Sequence, residues 1–143
     1  MGNRAVIRTT KNDLGVYLHW NGDIECVQAY LDFCKARDYR APENDCYGWS
    51  YLCQVICNSF GNGLSVGIDD VNRLDCKNGD NGVYIIKNWE IIGREYAHDD
   101  SFDVEKYDYF MTYLNSKQPE HCRLSESAIK DIVISRIRKQ EKQ

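Results

Sequence analysis

The chain has 143 residues, a length that favours one domain and lets folding bury about two thirds of the surface an unfolded chain exposes. A hydrophobic share of 43% and a charged share of 28% are those of an ordinary globular protein, and two prolines with ten glycines exclude a Pro/Gly-rich disordered chain. With 18 basic against 22 acidic residues the net charge is -4, which excludes a chain built to coat DNA or RNA.

Met1-Gly2-Asn3-Arg4 opens no apolar segment, so no secretory leader is expected. No run approaches the roughly 18 apolar residues of a membrane span, and no membrane partner is expected. Val6 stands where a myristoylation signal needs Ser or Thr. The seven cysteines, at 26, 34, 46, 53, 57, 76 and 122, are odd in number and hold no C-x-x-C. Reduced, metal-free thiols in a cytoplasm are the expectation.

Ala5, Val6, Ile7, Arg8 and Thr9 form a β-prone run, a turn follows at Lys11-Asn12-Asp13, and residues 15–20 form a second run, so an N-terminal hairpin is predicted. Asn21-Gly22-Asp23 then starts a helix over 24–38. Its apolar face is Ile24, Val27, Tyr30, Leu31 and Cys34, and Glu25, Gln28, Asp32 and Lys35 are expected to face away. A second helix over 47–60 is apolar nearly all round and expected to be buried. Gly61-Asn62-Gly63 closes it. Leu64, Val66 and Ile68 alternate with polar residues as a half-buried strand. Residues 77–82 carry two Asn-Gly pairs, a strong hairpin signal. Strands over 83–89 and 90–96 follow, joined at Lys87-Asn88. Ser101 is placed to cap a helix that Gln118-Pro119 ends, and residues 124–143 form a last helix whose basic end docks weakly or serves an oligomer contact. The predicted fold is α+β: one domain with an antiparallel sheet packed by two helices over residues 1–98, and a helical C-terminal extension over 99–143.

Tyr17-Leu18-His19-Trp20-Asn21-Gly22 is the most unusual string. An imidazole beside an indole makes a plausible ligand wall; a core Trp with a backbone-bonded His is the plainer reading. Cys53 and Cys57, four apart on a helix, lack a second ligand pair for zinc and read as small buried hydrophobes. Counted from Asp75 as a calcium loop, the third position is Lys77 and the twelfth is Ile86, so the calcium reading fails and a polar hairpin tip is expected. Arg94 and Tyr96 share one strand face and can clamp a phosphate and stack a base; a surface ion pair is the alternative for Arg94. Asp69-Asp70 and Asp99-Asp100 are sequence neighbours that a strand points to opposite faces, poor acid–base pairs. With no P-loop, G-x-G-x-x-G or G-x-S-x-G, a binder is expected rather than an enzyme, without a cofactor.

Gly15-Val16-Tyr17-Leu18-His19-Trp20-Asn21-Gly22, Tyr47-Gly48-Trp49 with Leu52-Cys53-Gln54-Val55-Ile56, and the run from Asn78 to Ile86 and on through Gly93-Arg94-Glu95-Tyr96 resemble a family of small proteins of bacteriophages and prophages of Firmicutes, over roughly residues 3–97. In size and organisation the chain is also similar to the anti-Thoeris sponge proteins of phages. That likeness implies sequestration, without cleavage, of a cyclic ADP-ribose-type immune signal or of cyclic oligonucleotides, by a homo-oligomer in the cytoplasm of an infected bacterium. One departure is Asp23, where the family pattern has a second Gly after Gly22. The resemblance transfers no ligand residue one by one. Chemistry nominates His19, Trp20, Asn21, Asn81, Tyr84, Arg94 and Tyr96 as the ligand-binding set. The alternative is a phage inhibitor that contacts a host defence enzyme through the acidic stretch 99–108 and the aromatic run 107–113.

Overall fold

The structure, a computed structural model, describes residues 2–61, 63–98 and 101–142. Strand β1 (Ala5–Arg8) runs antiparallel to β2 (Leu14–Leu18), with Ala5 opposite Leu18 and Arg8 opposite Gly15, as the predicted hairpin requires. Because side chains alternate, Ala5, Ile7, Val16 and Leu18 enter the main core, while Arg4, Arg8 and Tyr17 belong to the opposite, outer face. Strand β3 (Val66–Asp70) pairs antiparallel with β2 at the sheet edge. It starts two residues later than predicted, and Leu64 and Ile68 are exposed because the edge lies beyond the helical layer.

The Asn-Gly signal proves to be a turn signal without a hairpin. Residues 71–82 cross the sheet, so β4 (Val83–Lys87) pairs with β1, in parallel, and not with β3. The buried Asn78 closes this loop on itself: its Oδ1 accepts from the N–H groups of Asp80 and Gly82, both at 3.0 Å, and its Nδ2 donates to the carbonyls of Asp75 and Gly82 at 3.0 and 3.2 Å. The left-handed geometry at Gly79 and Gly82 serves the crossing. Asn88 and Trp89, both left-handed, make the two-residue turn into β5 (Glu90–Glu95), one residue beyond the predicted position. The sheet order is β3-β2-β1-β4-β5, and the predicted antiparallel sheet is mixed, with one parallel pair at its centre.

Helix α1 (Ile24–Ala36) lies on the core face. Its supposed solvent face is a correction: Glu25, Gln28 and Asp32 are buried. The elements that cover them come after residue 100. Helix α3 (Val104–Lys117) is capped by Asp103, not Ser101, through the N–H groups of Glu105 and Lys106. It sets Phe110 edge-on to Tyr30 with ring centroids 5.6 Å apart and adds Tyr107, Met111 and Leu114 to the same core. Helix α4 (Glu126–Glu141), capped by Ser125, adds Ile129 and Val133. The C-terminal helices thus share the core of the sheet, and the basic end of α4, expected to dock weakly or serve an oligomer contact, begins with a buried residue. Their anchor is Arg136, which donates to both oxygens of Asp32 at 3.0 and 2.7 Å and reaches Glu90 at 3.3 Å.

Helix α2 (Cys46–Phe60) is buried on one side only, by Trp49, Leu52, Val55, Ile56 and Ser59, and leaves Tyr47 exposed. It lies so close to the chain before it that a Cβ on Gly48 would overlap the Ala41 carbonyl.

Candidate ligand-binding site

The nominated residues converge on one end of the sheet, where β1 and β4 begin and β2 and β5 end. Backbone bonds gather them: Asn3 N–H donates to His19 O at 2.8 Å, Gly22 N–H to Asn3 O at 2.9 Å, and Asn81 N–H to Arg4 O at 3.0 Å. Their roles then diverge.

Tyr84 is fully buried on the core face and donates its hydroxyl to Gly22 O at 2.7 Å, so it is a core residue and not a ligand contact. Burial pushes its phenol well above the ordinary value, against the opposing pull of Arg94. Arg94 lies opposite Tyr84 in the register, with its guanidinium 3.8 Å from the Tyr84 ring centroid. Its Nη2 donates to Asn81 O at 2.5 Å and its Nε to Val83 O at 3.3 Å, and burial lowers its pKa. These bonds tie Arg94 to the backbone of the β4 start. The expected pairing with Tyr96 is a correction: the strand ends at Glu95, Tyr96 turns left-handed (φ 54°), and its ring meets Lys77 at 5.3 Å.

Asn21 is a turn residue, left-handed, whose carbonyl accepts from the Tyr30 hydroxyl at 3.3 Å. Asn81 spends its amide on Asn3 Oδ1 at 2.5 Å and Arg4 O at 3.1 Å. His19 Nδ1 and the Tyr17 hydroxyl share a hydrogen bond of 2.9 Å, and Trp20, 44% exposed, stands edge-on to the imidazole at 4.9 Å. The strand ends at Leu18, which frees Trp20 from strict alternation and lets it reach His19. Nearby, Arg4 Nε holds Asp80 at 2.8 Å, and these hydrogen bonds keep the Asp80 carboxyl below its usual range.

The concavity lies beside this corner, on the outer face. A groove of about 400 Å³ runs between the crossing loop and the end of β5, within the size range of small-molecule sites. Val71 and Leu74 supply apolar lining, Arg8 and Lys77 the cations, and Glu95 and Tyr96 the rim. Cys76 lies between them and donates its thiol to Val71 O at 3.6 Å. Burial raises the Cys76 thiol pKa, Arg8 opposes that, and Glu95 and Asp75 add to it. Arg8 Nε donates to Thr9 O at 3.2 Å, and its Nη2 lies 3.8 Å from Asp13.

Of the seven nominated residues only Tyr96 lines this groove; Arg8, Lys77 and Glu95 were missed. Arg8 carried a legible signal, a cation that directly follows the apolar run Ala5-Val6-Ile7 of a β-prone segment. Lys77 and Glu95 carried none, because their meeting depends on the loop crossing the sheet.

The alternative contact surface is changed as well. Asp99 and Asp100 lie outside the described residues. Tyr107 is buried and donates to Asp32 at 2.5 Å, and Tyr113 donates to Ser59 O at 3.0 Å. Tyr109 remains 76% exposed, near a groove of about 520 Å³ between α3 and α4 that includes the exposed Ile134. The cysteines are free thiols, with Cys26 and Cys34 buried. Among the described residues no helix is long and apolar enough to cross a membrane, and no three His, Cys, Asp or Glu are grouped to hold a metal ion. No family model matches the chain, and no curated protein or solved structure is similar to it at a significant level.

Proposed function

We propose that this protein binds and holds a small phosphorylated, nucleotide-type ligand without transforming it. The observation that carries the reading is one groove that sets Arg8 and Lys77 beside the exposed ring of Tyr96. Cations oppose phosphate oxygens, and a tyrosine face takes a base of any identity. An acidic protein needs local cations to hold an anion, and Arg8 and Lys77 supply them in this groove. The resemblance to phage sponge proteins supplies the biological form of the reading: sequestration of a cyclic ADP-ribose-type signal, or of a cyclic oligonucleotide, during infection, by a homo-oligomer whose contact we place on the α3–α4 face.

The test is incubation with cyclic ADP-ribose isomers and cyclic oligonucleotides, removal of the protein with what it holds, then heat release. Ligand depleted first and recovered intact afterwards supports the proposal, and Arg8→Ala and Lys77→Ala should each weaken the depletion. A cleaved product makes the protein an enzyme. The second reading, inhibition of a host defence enzyme by direct contact, is favoured by the exposure of two large apolar side chains on the C-terminal helices, Tyr109 on α3 and Ile134 on α4. It gains if no candidate is depleted and the protein is monomeric by light scattering.

A further inference from the structure

Two carboxylates, Asp75 and Glu95, line the same groove as the cations Arg8 and Lys77. Charge opposition to phosphate does not explain them, because each repels an anion. Asp75 has a partner elsewhere: Arg4 lies 3.6 Å from it. Glu95 is different in placement. It closes β5, opposite Val83, is exposed, and immediately precedes Tyr96.

An ionised carboxylate only accepts hydrogen bonds. In a nucleotide the donors between base and phosphate are the ribose hydroxyls, and acidic side chains read the 2′-hydroxyl in dinucleotide-binding sites. Glu95 lines this groove next in sequence to Tyr96, the aromatic residue that would take the base, and Arg8 and Lys77 line it as the cations that would take phosphate. We infer that the groove selects ribonucleotides with a free 2′-hydroxyl, and that Glu95 is the residue that reads the sugar. This inference rests on the nucleotide-binding reading above. A 2′-deoxy ligand leaves Glu95 facing the ligand without a donor, and a 2′-phosphate puts a second anion beside it. Both are disfavoured, the second more strongly.

The experiment is calorimetric titration of wild type, Glu95→Ala, Glu95→Gln and Arg8→Ala with ADP, 2′-deoxy-ADP and adenosine 2′,5′-bisphosphate, with circular dichroism to check the fold of each. Wild type should bind ADP about tenfold tighter than 2′-deoxy-ADP, the value of a charge-assisted hydrogen bond. Glu95→Ala should close that gap by losing affinity for ADP alone. Glu95→Gln, which folds with the same shape, should admit the 2′-phosphate that wild type rejects. Equal binding of ADP and 2′-deoxy-ADP, with Arg8→Ala still weakening both, overturns the role of Glu95 and leaves nucleotide binding standing. Failure of all three ligands to bind overturns the inference, and the cyclic ligands of the release test then decide the nucleotide reading separately.

Discussion

Replacing Arg136 by alanine tests whether the C-terminal helices belong to the fold. The Arg136 side chain is 7% exposed and grips Asp32, equally buried, through two hydrogen bonds of 3.0 and 2.7 Å. Asp32 also accepts from Gln28 at 3.1 Å and Tyr107 at 2.5 Å, so α1, α3 and α4 meet on one carboxylate. Burial alone would lower the Arg136 pKa, but its bonds to Asp32 outweigh that and raise it. Truncation leaves the Asp32 carboxylate buried with neutral donors only. Breaking such a pair costs about 3–5 kcal/mol, a large part of the roughly 5–15 kcal/mol that holds a domain together. At roughly 2–4 °C per kcal/mol for a chain near this size, Tm should drop by about 6–20 °C. Thermal and urea unfolding followed by circular dichroism measure the loss. The double replacement Asp32→Leu with Arg136→Met removes both charges and should recover most of it. A loss under about 1 kcal/mol for Arg136→Ala would refute the reasoning, because only a solvated, surface-type pair is that weak.

Gly82→Ala should destabilise by about 2–4 kcal/mol, since φ is +65° and a Cβ would overlap the Glu95 carbonyl and the Tyr96 backbone; chemical denaturation checks it. The same variant should displace Tyr96 and weaken ligand binding in the release test. Asp80 is held below the ordinary carboxylate range by hydrogen bonds from Arg4, and Glu90, which burial raises, is brought below it by Lys35, Arg136 and Lys139. A lowered folded pKa contributes stability above the unfolded pKa of about 4 and loses it as pH falls below that, so unfolding midpoints should be flat near neutrality and drop below about pH 5. Among the thiols, the exposed Cys46 should react first with a native-state disulfide reagent, while Cys26 and Cys34, buried with raised pKa, should react only on unfolding.

Local chemistry was legible where local chemistry decides. The β1–β2 hairpin, the α1 and α2 spans and the β4–β5 turn follow from alternation, helical period and two consecutive turn residues. Reading failed where a distant segment changes what local chemistry means. Glu25, Gln28 and Asp32 look like a solvent face because they are polar at helical spacing. They are buried because Asp103 N–H, Arg136 and Tyr107 arrive from far along the chain to satisfy them. A carboxylate whose charge is matched by a residue 104 positions away leaves no periodic signature. The Asn-Gly pairs failed in another way. They announce left-handed backbone, and the backbone is left-handed there, but the side chain of Asn78 uses it to close a loop that carries the chain across the sheet.

That crossing also explains why the groove was hidden and its neighbours were not. His19, Trp20, Asn81, Arg94 and Tyr96 were nominated for functional groups, and all of them lie at one end of the sheet because strand ends collect there. Chemistry of type identified the neighbourhood but not the occupants. A side chain becomes available to a ligand only if the fold has not already used it. Arg94 spends donors on the carbonyls of Asn81 and Val83 to finish the β4–β5 edge, and Tyr84 spends its hydroxyl on Gly22. Lys77 and Glu95, exposed side chains with no hydrogen bond needed to hold the sheet together, are placed together only because β4 pairs with β1. Moving β4 to the far side of β1 requires the 71–82 segment to pass over the outer face. That passage brings Cys76 and Lys77 against the ends of β1 and β5. The parallel pair at the centre of the sheet and the groove on its outer face are therefore one consequence of one chain crossing.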